Sequence, residues 1–268
     1  MNPSPQSIWT DIERIRAQAP LVHNITNFVV MNNTANALLA LGASPAMVHA
    51  PDEVEDFVSI SSALVVNIGT LDETFVAGMR LAMQKAKTLS KPIIFDPVGV
   101  GATAYRNQVS AELLELAAPD VIRGNASEIM ALAGLNAQTK GVDSLYGSEA
   151  ASDAARRLSA SLGSVVVISG ATDYIIQGER TATIKNGHSL MAKVTGMGCT
   201  ATALTGAFAA VNSDYFLAAT HAMAVMSIAG ELAVEKKPAP GSLQLNFLDA
   251  LYELTEATIT DRLQLTYA

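Results

Sequence analysis

The sequence predicts a three-layer α/β/α domain built on a mostly parallel central sheet, and three observations carry that prediction. Short β-branched runs alternate along the chain with longer Ala- and Leu-rich periodic segments, as they do in successive βαβ units. Several runs are apolar throughout, among them Ala63-Leu64-Val65-Val66 and Val165-Val166-Val167-Ile168, as a strand must be when helices cover both faces of its sheet. Polar or glycine residues follow almost every run, so side chains capable of chemistry collect along one edge.

In chain order, a helix over about residues 27–41 precedes a short strand at 46–48 (Ala46-Met47-Val48). A strand at 63–68 leads to a helix at 72–89, and a strand at 92–96, ending on Asp96, leads to a helix at 110–117. The strand at 121–123 runs into a helix at 126–133, followed by an Ala-rich helix at 148–161 and a strand at 165–169. Residues 174–176 form the first arm of a hairpin reaching Ile184, with Gln177-Gly178-Glu179 at its turn. Helices at 200–211, 215–234 and 243–258 complete the chain, with 236–241 a loop between the last two. The 215–234 helix is Ala- and Met-rich on most sides, which marks a helix covered on most sides. No internal repeat, low-complexity tract or linker breaks the pattern, so residues 1–268 read as a single domain.

Composition narrows the function. The chain has 268 residues, half of them apolar and 16 % charged, enough to bury a large core without disulfides or a structural metal. Its one cysteine excludes an internal disulfide and suits a reducing compartment, so a cytoplasmic protein is expected. Lys and Arg number 17 against 25 Asp and Glu, a formal charge of −8 with no basic run, which argues against nucleic acid as a partner. Residues 1–20 carry Asp11 and Glu13 and no apolar stretch, so no signal peptide is expected there. The apolar segment 216–234 contains His221 and Glu231 and lacks a basic flank on its N-terminal side. It reads as a buried core helix, and no membrane span is expected.

The residues beyond the apolar runs carry the functional reading. Thr195-Gly196-Met197-Gly198-Cys199-Thr200 stands before a helix of small residues. Glycines let the backbone turn with its N–H groups exposed, and a helix N-terminus adds partial positive charge. Together they suit a transferring phosphate. The segment matches neither the P-loop nor the dinucleotide fingerprint. Cys199 falls in the first turn, where a thiol pKa tends to be lowered. A glycine-rich cap with a buried structural cysteine explains the same residues.

Other positions are similarly double-edged. Asp96-Pro97-Val98-Gly99 places a carboxylate at a strand tip, suited to a metal or a ligand hydroxyl, yet Asp before Pro also starts turns. Arg123 could clamp phosphate as a fork donor, and Glu128 could hold Mg²⁺ through water. A capping box, with Asn125 as N-cap and Glu128 three residues on, accounts equally for the second. His23 is a base or a hydrogen-bonded loop histidine, and Met47 lines a pocket or fills the core. His49, His188 and His221 have no metal-site spacing.

The combination is more specific than any part. HNITN at 23–27, NIGT at 67–70, FDPVGVGAT at 95–103, RGNASEI at 123–129 and VTGMGC at 194–199 occur in this order. Together they closely resemble the hydroxyethylthiazole kinase family of the ribokinase-like superfamily, over about residues 20–210 with a compatible helical tail. The resemblance implies ATP-dependent phosphorylation of the primary alcohol of hydroxyethylthiazole in thiamine salvage, with Mg²⁺, in a homotrimer whose active sites lie between subunits. It implies that Met47 and the backbone of Gly196 contact the thiazole, and that Arg123 and Ser169 bind ATP. Asp96 and Glu128 match its magnesium-associated acidic pair, and Asn24 belongs to a motif near the phosphates and the subunit boundary. Cys199 matches the cysteine that stands where sugar kinases of the superfamily carry Asp. Met197 departs from the usual small or hydroxyl residue and is tolerable unless that position needs a positive φ.

The mechanism this suggests is positioning and charge neutralisation around a loose phosphoryl transition state. The loop containing Gly196, Gly198 and Cys199 would stabilise the transferring group, and Cys199 would accept or guide the hydroxyl proton without acting as a covalent nucleophile. A hydroxymethylpyrimidine kinase and a non-catalytic nucleotide sensor are the alternatives. HNITN and the cysteine count against the first, and the set Asp96, Arg123, Glu128 and Cys199 counts against the second. A nicotinamide dehydrogenase is disfavoured because its glycine fingerprint is absent from the first βα turn.

Overall fold

The computed structural model describes residues 2–138 and 148–268. Its centre is a nine-stranded sheet, among the described residues, in the order β2-β1-β3-β4-β5-β6-β7-β8-β9. The parallel strands are β1 (Leu21–Ile25), β2 (Ser44–Met47), β3 (Ala63–Asn67), β4 (Ile93–Asp96), β5 (Val121–Asn125) and β6 (Val165–Ser169). Three antiparallel strands extend the far side: β7 (Asp173–Gln177), β8 (Arg180–Ile184) and β9 (Leu265–Tyr267).

The apolar runs divide between two cores by simple alternation. Val65 of β3 joins one cluster while Leu64 and Val66 join the other, and in β6 Val165 and Val167 oppose Val166 and Ile168 in the same way. One face carries α1 (Pro5–Gln18), α2 (Met31–Leu41), α8 (Met197–Val211), α9 (Tyr215–Lys236) and α10 (Pro240–Glu253). The other carries α3 (Val54–Ile60), α4 (Glu73–Thr88), α5 (Ala104–Leu116), α6 (Ala126–Gln138) and α7 (Ser148–Leu162). With both faces covered, strands need no polar side, which is why these runs are continuously apolar. Helix α9 is long and apolar enough to span a bilayer, but it is buried between α8 and α10 and serves as core.

Several elements differ from the sequence reading, each for a local reason. His23, Asn24 and Ile25 lie inside β1, not beyond a strand, because polar His23 and Asn24 interrupt what would otherwise read as an apolar run. Helix α1 forms at the N-terminus, where Ser4 and Ser7 make a reciprocal capping box and Pro5 occupies the first turn. Helix α5 begins at Ala104 rather than 110, capped by the Thr103 hydroxyl ahead of a polar first turn. The expected helix at 243–258 is two: α10 ends at Glu253, and Thr255 caps a short α11 (Glu256–Arg262). Helix α3 and strand β9 were likewise not anticipated, since seven and three residues are too few for a periodic signal.

Candidate active site

Parallel pairing brings the carboxyl ends of the strands into line. Asn24 pairs with Met47, Asn67 with Asp96, and Asn125 with Ser169. Onto the middle of this edge comes the N-terminus of α8, whose cap residue Gly196 has φ +83°. A Cβ on Gly196 would stand 2.7 Å from Val30 Cγ1, so both conformation and contact demand glycine. Met197 opens the helix itself and has no positive φ, so its departure from a small residue puts no strain on the loop. No side chain caps α8, which leaves its first-turn N–H groups open.

Beside this terminus a cavity of about 660 Å³ is lined by Arg123, Ser169, Asp173, Met197 and Gly198, among others. Arg123 is nine-tenths buried and donates from Nη2 to Ser169 Oγ, while its Nε has no partner among the described residues. Ser169 in turn donates to the Gly124 carbonyl at 3.3 Å. Asp173 accepts from the Gly170 N–H at 3.0 Å and from Ser227 Oγ at 3.4 Å. Burial pushes its carboxyl up to about 6, against the pull of Gly170 and Arg123.

Asp96 is the hub of a second network. Its Oδ2 accepts from Asn67 Nδ2 at 2.8 Å and Thr202 Oγ1 at 2.7 Å, while buried Oδ1 has no partner among the described residues. Burial raises its pKa to about 6, chiefly opposed by the Arg123 guanidinium. Asn67 Oδ1 accepts from Asn27 Nδ2 at 2.9 Å, and that same Nδ2 lies 3.4 Å from Cys199 Sγ. A chain of amides thus joins the thiol to the carboxylate. Burial and the nearby Asp96 charge push the Cys199 thiol up, outweighing Asn67, Asn27 and Arg123. This corrects the expectation of a lowered thiol pKa: the helix N-terminus does not overcome desolvation beside a carboxylate.

Glu128 does what a capping residue does. Its Oε2 accepts from the Asn125 N–H at 2.8 Å, and its own N–H donates to Asn125 Oδ1 at 2.9 Å. Its Oε1 also accepts from the Gly99 N–H at 2.9 Å, tying α6 to the loop after β4. The structure therefore brings Asp96, Glu128, Arg123, Ser169, Gly196, Gly198 and Cys199 to one stretch of the sheet edge. Met47 and Asn24 pair with each other on β2 and β1, at the end of the edge that Asn27 follows, and neither lines the cavity. Met47 lies three strands from β4, about 14 Å at ordinary strand spacing. The Asn24 amide donates to the Val22 carbonyl at 2.9 Å and lines no part of the cavity. The HNITN residue that reaches the thiol is Asn27.

Sequence reasoning assigned no role to Asn27, Asn67, Thr202, Asp173 or Arg106. The last donates to the carbonyls of Ile68, Val98 and Gly69, clamping the loops after β3 and β4. The two asparagines sat in quoted motifs; Thr202, Asp173 and Arg106 had no signal before folding brought them in.

No group of three or more metal-ligating side chains occurs among the described residues. Mg²⁺ does not need one, since it keeps several waters and is commonly held by one or two carboxylates plus substrate phosphates. The unpartnered, buried Asp96 Oδ1, with Glu128 close enough to raise its pKa, is a donor set that fits.

A doubly covered, mostly parallel sheet with an open helix N-terminus, a buried arginine and a carboxylate on its edge is a ribokinase-like fold. A ribokinase-like superfamily protein of Enterococcus faecalis shares the fold, with TM-score 0.62 at 15 % identity over 94 % of this chain and 90 % of that one. The particular family follows from closer relatives: residues 12–257 match the hydroxyethylthiazole kinase family, and the chain belongs to it. A hydroxyethylthiazole kinase of Syntrophus aciditrophicus is 58 % identical over 99 % of this chain and 98 % of its own. The structure of the hydroxyethylthiazole kinase protein of Pyrococcus horikoshii matches with TM-score 0.91 at 42 % identity, covering 98 % of this chain and 99 % of that one. The chain is a kinase.

Proposed function

We propose that this kinase transfers the γ-phosphoryl group of ATP to the primary hydroxyl of 5-(2-hydroxyethyl)-4-methylthiazole, a thiamine-salvage reaction. The observation that carries the reading is the convergence of the uncapped α8 N-terminus, Arg123 and the Asp96–Asn67–Asn27–Cys199 chain on one edge. The first-turn N–H groups of α8 and the Arg123 guanidinium hold negative charge where it spreads in the transition state. Ser169 fixes the guanidinium. Asp96 and Glu128 would hold Mg²⁺, which when bound neutralises phosphate charge. Asn67 and Thr202 orient Asp96 through Oδ2, leaving Oδ1 free for that role.

Cys199 acts as a neutral thiol. It orients the substrate hydroxyl beside Asn27 without drawing off its proton early, which a loose transition state does not require. Gly196 offers its backbone to the thiazole. Met47, on β2 beside β1, would contact the thiazole, in a homotrimer with shared sites. Exposed Phe28 and Val29, directly after Asn27, are apolar surface of the kind such a contact covers. Asn24 would then act at the subunit boundary. A cytoplasmic location accords with the composition.

The test is product detection by mass spectrometry with ATP, Mg²⁺ and hydroxyethylthiazole, and a hydroxymethylpyrimidine in a parallel tube. Thiazole phosphate with matching ADP supports the proposal. Pyrimidine phosphate alone overturns the substrate, and bound ATP without product overturns catalysis.

A further inference from the structure

We infer that this enzyme does not choose its phosphoryl donor by the base: purine and pyrimidine nucleoside triphosphates all serve. The inference rests on the kinase reading above, which puts the donor's phosphates at Arg123 and Gly198. The same cavity of about 660 Å³ is also lined by Met223, Met226 and Ser227 of α9, and the nucleoside is placed along them.

What lines that part is apolar and soft. Met191, Met197, Met223 and Met226 contribute to its walls, four of the chain's ten methionines. Unbranched thioether side chains adapt to irregular shapes, and flexible Met-rich surfaces are how promiscuous binders accept different partners. Purine and pyrimidine rings both have apolar faces that such walls accept.

The polar groups there are already engaged with one another. Asp173 accepts from Gly170 N–H and from Ser227 Oγ. Asn186 Nδ2 donates to Glu231 Oε1 at 3.1 Å and the Arg262 carbonyl at 2.8 Å, while its Oδ1 accepts from Gln264 N–H at 2.7 Å. Backbone donors are taken as well: Gly187 N–H by Glu231 at 2.9 Å, Leu190 N–H by His188 Nδ1 at 3.1 Å, and Met191 N–H by the His188 carbonyl at 2.9 Å. Among the described residues, the polar side-chain atoms left over, besides those of Arg123 at the phosphate end, are His188 Nε2 and Ser189 Oγ, both on exposed residues.

Base discrimination needs unsatisfied, buried hydrogen-bonding groups that the wrong base leaves unpaired. A site with them rejects the wrong partner by about 10⁴-fold or more, whereas an apolar pocket separates close relatives by only about 10–200-fold. Here, Arg123 at the phosphate end apart, no buried side-chain polar atom of the wall lacks a partner among the described residues, so selectivity falls to shape. The triphosphate, through Arg123 and the α8 terminus, carries recognition.

The experiment measures kcat/KM for ATP, GTP, CTP and UTP with the wild-type enzyme, hydroxyethylthiazole and matched Mg²⁺, following thiazole phosphate and each nucleoside diphosphate by liquid chromatography and mass spectrometry. The expected result is four active donors within about a hundredfold of one another. ATP active with every other triphosphate more than a hundredfold slower overturns the inference and leaves the kinase reading intact. No thiazole phosphate from any donor overturns the kinase reading itself, and the inference with it. Competition supplies a second readout. In an equimolar ATP and GTP mixture the GDP to ADP ratio lies between about 0.01 and 100, and a ratio below about 0.01 overturns the inference.

Discussion

Arg123 presses against the backbone of Gly198 so closely that a Cβ at position 198 would stand 2.7 Å from its Nη1. Two residues 75 positions apart are thereby packed together, a guanidinium laid across the first turn of a helix.

Gly198→Ala separates that contact from the fold. The clashing atom is the far end of a flexible side chain, so stability should change by less than about 1 kcal/mol relative to glycine, within the helix-propensity range. The displaced guanidinium should raise KM for ATP at least tenfold, equivalent to about 1.4 kcal/mol. Thermal melts and ATP saturation curves on one preparation check both halves, and an unchanged KM removes Arg123 from donor binding.

Cys199 should behave as a protonated thiol near neutral pH, because burial and Asp96 hold its pKa above the ordinary value. Thiolate is the reactive form, so iodoacetamide should alkylate Cys199 more slowly than free cysteine at pH 8, with the rate climbing only under more alkaline conditions. Cys199→Ser should slow turnover modestly and leave ATP binding nearly intact. Rapid alkylation at pH 7 would show a thiolate and restore a role as base.

Asp173 should make stability fall as pH rises. Its carboxyl is held at about 6 in the folded protein against 3.8 ordinarily, so the folded state binds the proton more tightly. The stabilisation is complete below the unfolded value and lost as pH climbs through about 6, on the order of 2–3 kcal/mol at 1.36 kcal/mol per unit. Asp173→Asn removes the titrating group and keeps an acceptor for Gly170. The variant's melting temperature relative to wild type should therefore rise between pH 5 and pH 8; a constant difference across that range refutes the assignment.

Asp11 and His221 join α1 to α9 through a buried pair, Nδ1 donating to Oδ2 at 2.7 Å, with Asn212 donating to the same oxygen at 2.7 Å. Breaking one side leaves a buried hydrogen-bonding group unpaired, so Asp11→Ala should cost about 1–3 kcal/mol in urea unfolding. The double variant Asp11→Leu/His221→Leu should recover much of that loss. KM values for both substrates should stay unchanged, because neither residue lines the cavity.

Much of this was legible beforehand. The runs at 63–66 and 165–168 announced a sheet covered on both faces, and they are β3 and β6. Gly196 and Gly198 announced a glycine-capped helix terminus, and Asn125 with Glu128 announced a cap that the structure contains. These features depend on neighbours within a few residues, and so does their signature. Element boundaries suffered where that signature was weak, as in β1, whose His23 and Asn24 hide a strand inside a polar motif.

What the sequence determined by itself was the alternation of elements, the conformation of the α8 cap, and the set of residue types along the strand ends. Tertiary structure alone decided which of them work together. Thr202 is 106 positions from Asp96 yet donates to it, and Asn27 reaches Cys199 across 172 positions. The sign of the Cys199 shift was decided there too. A helix terminus is a local feature and lowers a thiol's pKa, whereas burial and a neighbouring carboxylate raise it, and both exist only once the sheet edge has closed around the thiol.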